Sequence, residues 1–118
     1  MLHLSPAVKY YLYSQPADMR KGFDSLSGMV SLQMQGRALD GSVFIFLNRS
    51  RTHVKLLHWE GDGFALYYKR LEGGTYEIPV HDATRASLPV TYQQLQLMLQ
   101  GVALRKIEYR KRYQQPAE

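Results

Sequence analysis

The chain has 118 residues, 45% of them apolar and 21% charged, which is the composition of one folded domain large enough to build a core. It has no cysteine, which excludes thiol nucleophiles, disulfides and every Cys-ligated zinc or iron–sulfur centre. The net charge of +5 is uneven: residues 81–118 carry six Lys/Arg against three acids, and five of the six fall in 105–112.

No apolar run approaches the ~18 residues of a membrane span, and the opening MLHLSPAVKYY lacks the pattern of a secretory signal. The expectation is a cytoplasmic protein. In chain order, residues 8–13 (VKYYLY) read as a first strand that stops before Pro16. Asp18 then offers an N-cap, and Phe23, Leu26, Val30 and Met34 fall at helical spacing, which predicts a helix over 18–35 ended by Gly36.

Three strands follow. Residues 43–47 (VFIFL) are continuously apolar, as in a strand buried on both faces; 52–60 and 64–71 alternate. The connections NRSR and EGDG are turn-formers, and such short links permit only antiparallel pairing. A fourth run over 75–78 closes at Pro79, and 81–89 reads as a loop. Thr91 with Gln94 makes a capping box, and Tyr92, Leu95, Leu99 and Val102 continue at helical spacing, which predicts a helix over 91–100. The resulting expectation is an α+β fold. It is an antiparallel meander of four to five strands with a helix after the first strand and a C-terminal helix, both covering one sheet face. Residues 1–104 form the single domain, and 105–118 form a basic C-terminal segment, either an extended helix or disordered.

The chemistry of catalysis is thinly represented. The acids of the chain body mostly sit beside turn glycines or at strand ends, and Glu60 with Asp62 lacks further metal ligands. No pair of His3, His53, His58 and His81 has the i, i+4 spacing of a zinc site. No serine sits in G-x-S-x-G, and neither G-D-G nor G-G precedes a helix as a phosphate cradle would. No catalytic residue, metal or cofactor is expected; a magnesium nuclease using Asp18, Asp24 or Glu60/Asp62 is the outside alternative.

Binding is better represented. Arg49 and Arg51 share one turn with Lys55 just beyond, and Lys69 and Arg70 close the strand after the next turn. An up-and-down meander returns to the same end every second strand, so Arg49, Arg51, Lys69 and Arg70 are expected to cluster. The arginine fork suits phosphate, although plain solvation explains the same residues equally well. Trp59, Tyr67 and Tyr68 offer stacking surfaces or simply core. Arg105, Lys106, Arg110, Lys111 and Arg112 read as a polyanion contact or a solvated tail.

The blocks DMRKGFDSL at 18–26, VFIFLNR at 43–49 and KLLHWEGDGFALYYKRLE at 55–72 resemble a known family. It is the accessory protein (TnpB) from the second reading frame of insertion sequence sixty-six type elements. The resemblance spans nearly the whole chain. It implies a bacterial helper of DNA transposition, working beside a separate and larger DDE-type transposase. The matching positions include Asp18, Arg20, Lys21, Gly22, Phe23, Asp24, Arg49, Lys55, Trp59, Tyr68, Lys69, Arg70 and Glu72. Glu60 stands where family members commonly have aspartate, and 105–112 lies outside the shared blocks. Arg20 and Lys21 at the start of the first helix oppose its dipole, which points either to a partner or to an Arg20–Asp24 ion pair. The expected partners are DNA, the transposase, or a second copy of the chain, with no membrane. The direct contact is DNA through Arg20, Lys21, Arg49, Arg51, Lys55, Lys69, Arg70 and the basic tail, or the transposase without DNA.

Overall fold

The computed structural model describes residues 4–79, 81, 82, 84–100, 102–103 and 108–109. Five strands form one sheet: β1 (Tyr10–Tyr13), β2 (Val43–Leu47), β3 (His53–Trp59), β4 (Phe64–Arg70) and β5 (Ser87–Val90). Helix α1 (Phe23–Leu32) joins β1 to β2, and α2 (Tyr92–Gln100) follows β5. The spatial order is β4-β3-β2-β1-β5. Two further strands, β6 (Val102–Ala103) and β7 (Glu108–Tyr109), pair with each other.

The α+β class holds, and β2, β3 and β4 are the expected antiparallel meander. β1 departs from it. It runs parallel to β2, with Tyr10 opposite Val43, and α1 supplies the long crossover that parallel neighbours need. The fifth strand also lies elsewhere than expected. Residues 75–78 are not a strand: Tyr76 is fully buried and gives its N–H to the Arg51 carbonyl at 2.7 Å, so the segment crosses the sheet as a strap. The strand comes instead from Ser87–Val90, within the expected loop, and pairs antiparallel with β1. Pro89 is tolerated there because β5 lies at the sheet edge, where one side of the strand has no ladder to complete.

The helices cover opposite faces rather than one. Alternation along each strand sends Tyr10, Leu12, Val43, Ile45, Leu47, Val54 and Leu56 to one face, where Leu95 and Met98 of α2 and the strap residue Tyr76 close over them. The other face presents Phe44, Phe46 and Leu57 to Leu26, Met29 and Val30 of α1. β2, sandwiched between both layers, is buried at all five positions, and that is why its run is unbroken in apolar character. Thr91 and Gln94 form the reciprocal capping box: the Gln94 N–H donates to Thr91 Oγ1 at 3.0 Å, and the Thr91 N–H donates to Gln94 Oε1 at 2.9 Å.

α1 starts five residues later than Asp18 suggests. Asp18 Oδ1 does accept a backbone N–H, but from Arg20, in a local turn. The N-cap position falls to Gly22, which makes no side-chain cap. At the other end Gln35, not Gly36, takes the left-handed backbone at φ 54°. Gly36 is needed for room, since a Cβ there would sit 3.1 Å from both Phe44 and Val30.

Candidate nucleic-acid interface

The sheet topology gathers five segments at one end of the molecule. β1, β2 and β4 finish there, and β3 and β5 begin there. The best-organised segment is the turn from β2 to β3. The Arg51 N–H donates to the Asn48 carbonyl at 3.0 Å, and Asn48 Oδ1 accepts the backbone N–H groups of Thr52 and His53 at 2.9 and 3.0 Å. The Asn48 amide also donates to Thr52 Oγ1 at 3.0 Å. One asparagine therefore fixes the whole turn, and Arg49 and Arg51 stand exposed on it. Arg51 has φ 58°, a left-handed conformation that glycine or asparagine adopts more cheaply. Holding an arginine there costs about 1 kcal/mol.

Arg70 lies opposite His53, and Lys69 opposite Val54, so both reach the same end as the arginine turn. They point to opposite sheet faces, because side chains alternate along β4. Arg70 is tied to Glu72, with Nη2 and Nε 2.6 and 2.9 Å from Oε1. Arg20 is likewise tied to Asp18, Nη2 to Oδ2 at 2.7 Å, in place of the Arg20–Asp24 pair. This contact holds the Asp18 carboxyl down at about 2, the largest cause being the guanidinium hydrogen bonds. Lys21 is half-buried beside it. Arg49, Arg51 and Lys69 have no acidic partner among the described residues.

Lys55 has a different place from the one its sequence context suggests. It is only 6% exposed, and its ammonium donates to the carbonyls of Met19 and Lys21, both at 2.7 Å. The Tyr68 ring lies 4.6 Å from the same nitrogen. Lys55 thus clamps the 18–22 loop onto the sheet and is occupied inside the protein. No spacing signal distinguishes it from its neighbours; its position on a strand whose alternate residues are core was the available hint. Trp59 packs edge-on against Phe64 at 5.1 Å, while Tyr67 and Tyr68 stand exposed on the edge strand at 38% and 51%.

Arg105, Lys106, Arg110, Lys111 and Arg112 lie outside the described residues. Among the described residues no three His, Asp or Glu side chains converge as metal ligands. No helix among them is long and apolar enough to cross a membrane.

Taken together, this is a small mixed-sheet α+β protein with a basic, pre-formed turn at one end. Comparison with known proteins places it more narrowly: residues 8–109 match the IS66 Orf2-like protein family, and the chain belongs to it. It is 31% identical over 102 residues to uncharacterized protein y4hO of Sinorhizobium fredii, covering 86% of this chain and 87% of that one. It is 27% identical over 79 residues to uncharacterized protein y4jC of the same organism, covering 67% and 68%. No solved structure matches. The family points to an accessory role in transposition and is not a known catalytic one.

Proposed function

We propose that the chain is a DNA-binding accessory of insertion-sequence transposition and contacts phosphates through the basic end of its sheet. The observation that carries this reading is the arginine turn, where Asn48 locks the backbone and leaves Arg49 and Arg51 exposed without acidic partners among the described residues. A rigid turn spares the entropy of ordering the backbone on binding, and the guanidinium fork suits phosphate oxygens. Lys69 adds an exposed charge with no acidic partner among the described residues, and Arg20 and Arg70 can exchange Asp18 and Glu72 for phosphate. Lys21 and the run 105–112 extend the cationic surface. Lys55 takes no part, being committed to backbone carbonyls. With three to four phosphates contacted, log affinity falls against log salt with a slope of roughly −3 to −4. Fluorescence anisotropy of labelled element ends across a salt series tests this, and binding that ignores salt overturns it.

The exposed edge of the sheet favours a second reading, docking on the transposase or on another copy. Among the described residues β4 pairs only with β3, and it exposes Tyr67 on one face and Tyr68 on the other, side chains well suited to interface anchors. Its mark is co-purification with the transposase that survives nuclease and moderate salt.

A further inference from the structure

The arginine turn also walls one side of a pocket of about 340 Å³ that phosphate contact alone does not use. It opens where the parallel strands β1 and β2 end side by side, the place where sheets with parallel strands most readily leave a crevice. Leu12, Leu47, Ile78 and Leu88 give it an apolar lining. Arg49 and Arg51 stand on its rim, and Ser14, leaving β1, contributes a buried hydroxyl that has no hydrogen-bond partner among the described residues.

The pocket also holds one acid. Asp82 Oδ1 already accepts the N–H and the hydroxyl of Thr84, at 3.0 and 2.5 Å, and these bonds keep its carboxyl below the usual range. Its ionised second oxygen repels a ligand that is anionic throughout, such as a polyphosphate or a dicarboxylate. It accepts from a ligand that is anionic at one end and carries N–H donors at the other. One nucleotide has that division: a phosphate for the arginines, a flat base for the leucines, and ring or exocyclic N–H groups for Asp82. At this volume the pocket admits a single nucleotide and not a base pair, so the nucleotide must be unpaired, at a strand end or extruded from the duplex.

We infer that this pocket binds one unpaired nucleotide of a DNA strand, an inference that rests on the DNA-binding reading above and narrows it. The full chain is titrated by anisotropy with three probes: a blunt duplex, the same duplex with a short single-stranded overhang, and that overhang made abasic. The overhang binds about ten-fold tighter than either control, the scale of one stacked base. Ser14→Leu, which fills the pocket, removes that preference and leaves blunt-duplex affinity unchanged. Gln15→Trp, at an exposed rim position that does not threaten folding, does the same.

Equal binding of all three probes with the salt slope intact overturns the pocket while the basic surface stands. A parallel titration of the ¹⁵N-labelled chain with dAMP, against deoxyadenosine and inorganic phosphate, separates the opposite case. If no duplex binds but dAMP alone shifts the amides of 14–15, 48–51 and 81–82, the nucleotide site stands and the basic surface falls. Silence in both experiments overturns both.

Discussion

Two neighbouring basic segments, the 18–22 loop with Lys55 and the 48–53 turn, carry similar residues and use them in opposite ways. In the loop, Arg20 is closed onto Asp18, and the Lys55 ammonium is spent on two carbonyls and an aromatic ring. In the turn, an uncharged asparagine does the organising, so both arginines remain open. Positive charge in a sequence therefore says little about availability. What decides it is whether the backbone nearby has carbonyls or acids that need a donor. The two segments are neighbours: Asp18 and Met19 line one shallow surface with Asn48, Arg49 and His53.

The sharpest way to break this contrast is to unlock the loop. Lys55→Met keeps the stem's packing but leaves the Met19 and Lys21 carbonyls without their donor. The expected loss is about 2–3 kcal/mol, the usual range for hydrogen bonds to a charged group. Urea unfolding measures it, and a midpoint equal to wild type would show that the clamp contributes nothing. The opposite manipulation, Arg49→Ala with Arg51→Ala, removes two exposed side chains and is expected to leave the urea midpoint within the effect of ordinary surface changes, about 0.5 kcal/mol. DNA affinity falls instead, and the salt slope becomes shallower by about 2, one unit for each lost phosphate contact. A double variant that unfolds would mean the arginines are structural and the contrast is false.

A finer test uses the backbone of Arg51 alone. Glycine at φ 58° relieves the left-handed strain and gives back part of that gain as unfolded-state entropy, so Arg51→Gly is expected to stabilise by about 0.5 kcal/mol. The same change weakens DNA binding. Stability and affinity moving in opposite directions would identify the strain as serving the surface; a loss of both would assign Arg51 a structural contact.

How much of this was legible in the sequence follows from where the deciding contacts lie. The buried strand 43–47 and the Thr91/Gln94 box were readable, because continuous apolar character and a three-residue reciprocal cap are local signals. The start of α1 was not, because the carbonyls of 19 and 21 that a helix would use are taken by Lys55, far along the chain. β5 was hidden by Pro89 and by a partner, β1, at the other end of the sequence. Its placement, and the parallel pairing of β1 with β2, put one helix on each face instead of both on one. Shared placement of Arg49, Arg51, Lys69 and Arg70 at one sheet end followed from the meander alone. Which of them is paired, and the pocket beside them, depended on residues 14, 78 and 81–82 that no local pattern joins to the turn.

The smallest effect concerns the ion pair that closes the loop. Asp18 has its carboxyl held at about 2 instead of the ordinary 3.8, chiefly by hydrogen bonds from Arg20. A carboxyl whose pKa is lowered on folding adds stability that is complete above its unfolded value and disappears as pH falls through its folded value. The contribution is therefore present at pH 5 and fades between about pH 4 and pH 2. Because the pair is exposed, salt and water screen it, and the effect is expected to be slight. Asp18→Asn keeps the local turn's acceptor but removes the charge. Urea midpoints of wild type and Asp18→Asn should differ a little at pH 5 and converge near pH 2, with the gap narrowing further in added salt. Equal midpoints at every pH in this window would mean the aspartate acts through its turn geometry alone, which the asparagine keeps. In that case the loop is locked by Lys55 without help from its ion pair, and under the proposed DNA-binding reading Arg20 is as available to phosphate as Arg49.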